Sequence, residues 1–190
     1  MYNWLTFRGI VDTEMQTLWK SPLPLKLKHF LWLAWKNKIQ SAAQLRKMGW
    51  EGSVNCQLCN LIEDASHIFF HCPMAVFLWN VCKDALSWDR ITVNFSDFLV
   101  CSFWPYCSKF PRVRLCLLAA CCWQLWSIKN DMIFRYILVK FLHTIPFRMI
   151  CCLLQWRLLL MEEEKETLDT WISELQRCSR NLQGARFSST

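Results

Sequence analysis

The stretch that decides the fold is Cys56-Gln57-Leu58-Cys59, followed by Glu63-Asp64-Ala65-Ser66-His67-Ile68-Phe69-Phe70-His71-Cys72-Pro73. Its spacing is Cys-x2-Cys-x7-His-x4-Cys. Zinc takes four ligands at tetrahedral corners, thiolate sulfur at about 2.3 Å and imidazole nitrogen at about 2.0 Å. A Cys-x2-Cys turn sets two thiolates on one side and leaves the intervening amides to bond the sulfurs. His67 and Cys72, near the two ends of a short helical turn, can supply the other pair. Four protein ligands leave no open position, so such a centre is structural and not catalytic. His67 and His71 stand at i and i+4, so Cys56, Cys59, His67 and His71 form a second chemically acceptable set. The bland alternative is that these cysteines are small buried hydrophobes.

The surroundings read as helical. Of 190 residues, 54% are hydrophobic and 15% aromatic, which excludes disorder, and only 4 are Gly and 6 Pro, too few for the turns of a sandwich. Pro24 precedes a segment in which Leu27, Phe30, Leu31 and Ala34 share one helical face. Ser41-Ala42-Ala43-Gln44 reads as a capping box opening a short helix that ends near Gly49. Pro73 starts a helix through Leu86, with Val76, Trp79 and Cys82 expected on its inner side. Residues 87–111 are expected as a linker with short helical pieces around Phe95–Leu99. Residues 112–135 are apolar nearly all round, the mark of a buried helix. Pro146 is expected to open a helix through Leu160 that continues as a polar segment, Glu162 to Arg180. Its inward stripe is Leu168, Trp171, Ile172 and Leu175, and its Glu162-Glu163-Glu164 run is taken as a solvated face. The expectation is an all-α chain: a lead-in over 1–18, a small zinc-stapled domain over 19–86, the linker, a Trp-rich helical region over 112–182 and a disordered tail over 183–190.

Twelve Cys stand in the chain, and Met1-Tyr2-Asn3-Trp4 has neither the basic start nor the apolar stretch of a secretory signal. The cysteines are therefore expected as thiols or metal ligands, not as a disulfide framework. The longest uncharged apolar run, Leu115 to Ile128, has 14 residues, short of the roughly 20 that span a bilayer. No membrane partner is expected.

Net charge is +7, unevenly spread. Residues 1–50 hold 8 Lys/Arg against 2 Asp/Glu, residues 51–100 hold 2 against 6, and residues 101–150 hold 7 against 1. Zinc with three thiolates and a neutral imidazole carries a local charge of about −1. The finger segment is thus acidic and a poor phosphate contact. Any nucleic-acid grip falls to Lys20, Lys26, Lys28, Lys36, Lys38, Arg46 and Lys47, against the alternative of a solvated lysine face. Trp32, Trp35, Trp79, Trp123 and Trp126 lie in helical apolar runs, where core packing outweighs base stacking. The pairs Cys121-Cys122 and Cys151-Cys152 are read as packing. Polymerase and nuclease chemistry needs clustered carboxylates for two metal ions. No such cluster, phosphate-cradling Gly loop or nucleophile elbow is read. No catalytic residue and no small-molecule substrate are assigned, and the chain is expected not to be an enzyme.

Residues from about Trp19 to Trp79 resemble the zinc-binding domain found downstream of plant LINE-type (non-LTR) retrotransposon reverse transcriptases. The pieces that carry this are Leu18-Trp19-Lys20, Pro24 to Trp32, Gln44-Leu45-Arg46-Lys47-Met48-Gly49-Trp50, Cys56-Gln57-Leu58-Cys59, and Glu63 to Pro73 with Trp79. Trp123 to Phe134 resembles the Trp-rich helix that often follows. The resemblance implies Cys56, Cys59, His67 and Cys72 as ligands, with Cys72 preferred over His71, and Zn2+ as the cofactor. It further implies an intracellular, nuclear setting, RNA or DNA as a partner, and an upstream reverse transcriptase domain as another. The function expected is a zinc-binding accessory domain derived from such a reverse transcriptase, without polymerase activity of its own. The alternative is a protein–protein interaction or architectural module, or an inactive transposon relic.

Overall fold

A computed structural model describes residues 13–100, 111–137 and 142–184. Most of the lead-in, the second half of the linker and most of the tail therefore lie outside the described residues. The described chain is helical: α1 (Thr13–Lys20), α2 (Leu25–Trp35), α3 (Ala42–Lys47), α4 (Pro73–Leu86), α5 (Phe95–Val100), α6 (Pro111–Phe134), α7 (Thr144–Trp156) and α8 (Glu162–Gly184). A wide π-type turn, His67–His71, precedes α4, and a 3-10 turn, Arg157–Leu159, follows α7. Among the described residues there is no strand, only an isolated antiparallel bridge between Asn55 and Ile62. Nor is any helix there long and apolar enough to cross a membrane.

The apolar period of α2 buries Leu27, Phe30, Leu31 and Ala34, the face its sequence marks. Pro24 sits at the N-cap, and its carbonyl accepts from Leu27 and Lys28 at 2.9 and 3.1 Å. Half of the capping box of α3 forms. Ser41 Oγ accepts from the Gln44 amide at 3.3 Å, whereas the Ser41 amide turns to the Ile39 carbonyl at 2.7 Å. Gly49, at φ +92°, ends the helix where a side chain would be strained.

Helix α6 is the hub. Buried residues occupy every side of it, from Val113 and Leu115 to Ile128 and Met132, because α2, the π turn, α4, α7 and α8 all pack on it. Helices α4, α6, α7 and α8 touch pairwise and share one core. The inner face of α4 holds Trp79 and Cys82 as expected and departs from expectation at Val76. Ala75, Leu78, Trp79, Cys82 and Ala85 point inward, while Val76 is only half-buried. Two neighbours set this rotation: the π turn at the start of α4 and α8 along its length.

The segment after Pro146 also differs. The helix begins at Thr144 and ends at Trp156, and extended Leu160 (φ −98°, ψ 158°) separates it from α8. The two are separate helices packed on each other. Arg157 clamps the corner by donating to both Asp169 carboxylate oxygens at 2.6 and 2.7 Å. Within the acidic run, Glu162 and Glu163 are exposed, but Glu164 is buried. Its carboxylate accepts from the Met161 amide at 3.1 Å and lies 3.9 Å from Arg112 Nε. Glu164 is therefore a helix cap, a use that spacing along one solvated face does not reveal.

Candidate metal centre

The first two ligand positions sit on a tight hairpin. The Cys56 amide donates to the Leu61 carbonyl at 2.8 Å, the Asn60 amide donates back to the Cys56 carbonyl at 2.9 Å, and Asn60 takes φ +59°. Asn tolerates that left-handed conformation better than most side chains. The turn aims the Leu58 amide at Cys56 Sγ, 3.5 Å away. The Cys59 amide near Cys56 and the Met74 amide near Cys72 likewise act to lower those thiols, against their burial. Amides pointing at sulfur favour thiolate, so the backbone is arranged for metal-bound sulfur.

The other two positions depend on the π turn. Asp64 starts it by accepting from the His67 amide through Oδ1 at 2.7 Å and from the Ile68 amide through its carbonyl at 3.0 Å. The Cys72 amide then reaches the His67 carbonyl, five residues back, at 2.7 Å. At the α-helical 100° per residue, His67 and His71 would stand about 40° apart and His67 and Cys72 about 140° apart. Widening the turn swings Cys72 back toward His67, while the side chain of His71 stays at the exposed edge of the turn. Cys72, in extended backbone at the N-cap of α4, points inward, and Pro73 stands at the first helical position.

Cys56, Cys59, His67 and Cys72 thus converge, their ligand atoms all within 4.8 Å of one another. Cys56 Sγ lies 4.0 Å from Cys72 Sγ, and Cys59 Sγ lies 3.3 Å from His67 Nε2. A tetrahedral zinc centre places sulfurs about 3.8 Å apart, so the donors present fit that ion in number, type and spacing. His71 is exposed, its Nδ1 3.4 Å from Ser66 Oγ, and lies outside the cluster.

Electrostatics fit as well. Burial pushes the Cys72 thiol up to about 12 and raises that of Cys56, while burial lowers the His67 imidazole. Burial thus favours the neutral forms of Cys56, Cys72 and His67 when no cation is bound, and a divalent ion supplies the charge that deprotonates the sulfurs.

Sequence reasoning did not single out Glu63 and Lys129. Glu63 is buried; its Oε1 accepts from the Ala42 amide at 3.2 Å and stands 3.3 Å from Lys129 Nζ of α6. Lys129, also buried, donates to the Gln40 carbonyl at 3.2 Å and lies 4.8 Å above the Trp126 ring. Burial lowers its ammonium, while Glu63 and then Cys56 act to raise it. The one legible signal was a lysine that closes the longest uncharged apolar run, Leu115 to Ile128.

The seven proposed phosphate contacts do not form one set. Lys20, Lys26, Lys36, Lys38, Arg46 and Lys47 are exposed, and Lys26 Nζ stands 5.0 Å from the centre of the Trp123 ring. Lys28 is half-buried and donates to the Trp19 carbonyl at 2.9 Å, tying α1 to α2. Trp79 is fully buried, and Trp32, Trp35, Trp123 and Trp126 are half-buried against the core. All described cysteines are free thiols; Cys121 and Cys122 are buried, Cys152 is half-buried and Cys151 is exposed.

Neither the curated proteins nor the solved structures give a match. Residues 1–79, which hold all four converging side chains, match the family model described as zinc-binding in reverse transcriptase, and this part of the chain is similar to such a zinc-binding domain.

Proposed function

We propose that the chain is a zinc-binding accessory module of a LINE-type reverse transcriptase, with Cys56, Cys59, His67 and Cys72 holding one structural Zn2+ and with no polymerase chemistry of its own. The observation that carries this is the convergence of three sulfurs and one imidazole within 4.8 Å, inside the stretch that matches the family. When bound, the ion cross-links the hairpin, the π turn and the start of α4. The test is elemental analysis of the purified chain. About one zinc per chain supports the reading, and no bound metal defeats it.

The module's partner in this reading is RNA or DNA, gripped by Lys20, Lys26, Lys36, Lys38, Arg46 and Lys47. Their exposure supports this, as does the excess of basic residues over residues 1–50. Affinity that falls steeply with salt is the expected signature. A second reading, docking of a protein domain, draws on the exposed apolar side chains beside the hairpin. Leu58, Leu61 and Ile62 are 45%, 59% and 65% exposed. Binding that does not respond to salt would favour it.

A further inference from the structure

The cleft beside the four converging ligands is closed by α6, which lies outside the family-matched stretch. Cys56, His67 and Cys72 form one wall, and Leu125, Lys129 and Met132 of α6 form the other. Lys129 is the one cation among the described residues that line this cleft. Its ammonium is held from three sides, by the Gln40 carbonyl at 3.2 Å, the Glu63 carboxylate at 3.3 Å and the Trp126 ring at 4.8 Å.

A zinc ion with three thiolates brings about one net negative charge into this buried place. Glu63 adds another. Two negative charges out of water are strongly unfavourable unless a cation stands by them. Resting on the zinc reading above, we propose that Lys129 is the counter-charge of the metal centre, and that zinc loading holds the C-terminal helices to the finger through it. Lys129 acts as a positioning residue: it contacts no metal but balances the ligands that do. The acidic character of the finger then has a use inside the molecule, since it receives a lysine of the chain's own basic third segment.

The experiment uses the full chain and Zn2+ alone, with affinity read by competition against a chromophoric chelator. Lys129→Met keeps most of the stem and removes the charge; it is expected to weaken zinc binding about 10-fold or more, the range for partners behind a ligand shell. Glu63→Gln keeps the acceptor for the Ala42 amide and removes the competing charge, so it is expected to bind zinc at least as tightly as the parent. If Lys129 serves only to neutralise Glu63, Glu63→Gln strands a buried lysine and weakens zinc binding. That result, or a Lys129→Met affinity within twofold of the parent, overturns the proposal.

If Lys129→Met fails to fold, the parent chain decides by lysine acetylation read by mass spectrometry. Lys129 is expected to react at least 10-fold more slowly with zinc than after chelation, with exposed Lys47 as the unchanged reference. Equal Lys129 rates in the two states overturn the proposal. A parent chain that takes up no zinc sinks the zinc reading as well, whereas one zinc with the wrong variant pattern sinks only the role of Lys129.

Discussion

The Trp79 indole N–H donates to the Phe69 carbonyl 2.7 Å away, across the fully buried contact between α4 and the π turn. The wide turn gives up regular helical pairing to bring His67 and Cys72 together, and Trp79 satisfies a carbonyl at its centre. The ring also stacks on Phe70, with centroids 6.0 Å apart and planes at 7°. One side chain therefore ties the metal turn to the core of the C-terminal helices.

Trp79→Phe removes the donor and leaves the Phe69 carbonyl buried without it. The cost expected is about 1–3 kcal/mol for the stranded acceptor, with a further loss from the smaller ring. Urea denaturation of the zinc-loaded chain measures it. A change under about 0.5 kcal/mol would mean that the turn does not need this bond.

Cys72→Ser and His71→Ala should separate cleanly. Cys72 lies in the cluster, whereas His71 is exposed beside Ser66. Zinc content is expected to fall in Cys72→Ser and to stay at the parent level in His71→Ala. Cobalt substitution adds a check, because the thiolate-to-metal absorption band should weaken only in Cys72→Ser.

Stability should depend on pH in opposite ways with and without metal. In the metal-free chain, burial raises the Cys72 thiol from 9.0 to about 12, so its neutral form is the folded one. That contribution is complete below pH 9 and is lost as pH rises toward 12. Zinc binding has already deprotonated Cys72, so the loaded chain lacks this contribution to alkaline unfolding. In acid the order reverses. Protons displace zinc from the thiolates, and His67, lowered by burial, must charge against its surroundings as pH falls through its depressed value. Thermal melts across pH, with and without chelator, read both arms.

Charge reversal at the basic face should distinguish lysines that serve the fold from those that serve a ligand. Lys28→Glu loses the bond to the Trp19 carbonyl and is expected to lower the melting temperature. Lys38→Glu with Lys47→Glu, both exposed, should leave the melt unchanged. In the nucleic-acid reading, that pair lowers the slope of log affinity against log salt by about 0.9 per lost phosphate contact. An unchanged slope removes these two lysines from the interface.

Legibility in the sequence followed the range of the interactions. The face of α2, the Ser41 cap, the stop at Gly49 and the start at Pro73 rest on neighbours within a few residues, and each was readable; the burial of α6 was readable from its all-round apolar composition, although five other elements supply it. On α4, Trp79 and Cys82 were readable as one face but Val76 was not part of it, because the π turn and α8 choose its rotation. The break at Leu160 was missed for a similar reason: the Arg157–Asp169 clamp and the Glu164 cap stabilise a corner that an apolar period cannot signal.

The order of Cys56, Cys59, His67 and Cys72 along the chain by itself determined which chemistry the finger can hold, because donor type and short spacing are local properties. That Cys72 turns inward was decided by the wide turn before it and by the extended backbone that joins it to α4. That Glu63 meets Lys129, 66 positions later, was decided by the packing of α6 over the cleft. The reason is physical: a metal-ligand set is a matter of donor chemistry, whereas a buried charge pair exists only where the rest of the molecule has excluded the water.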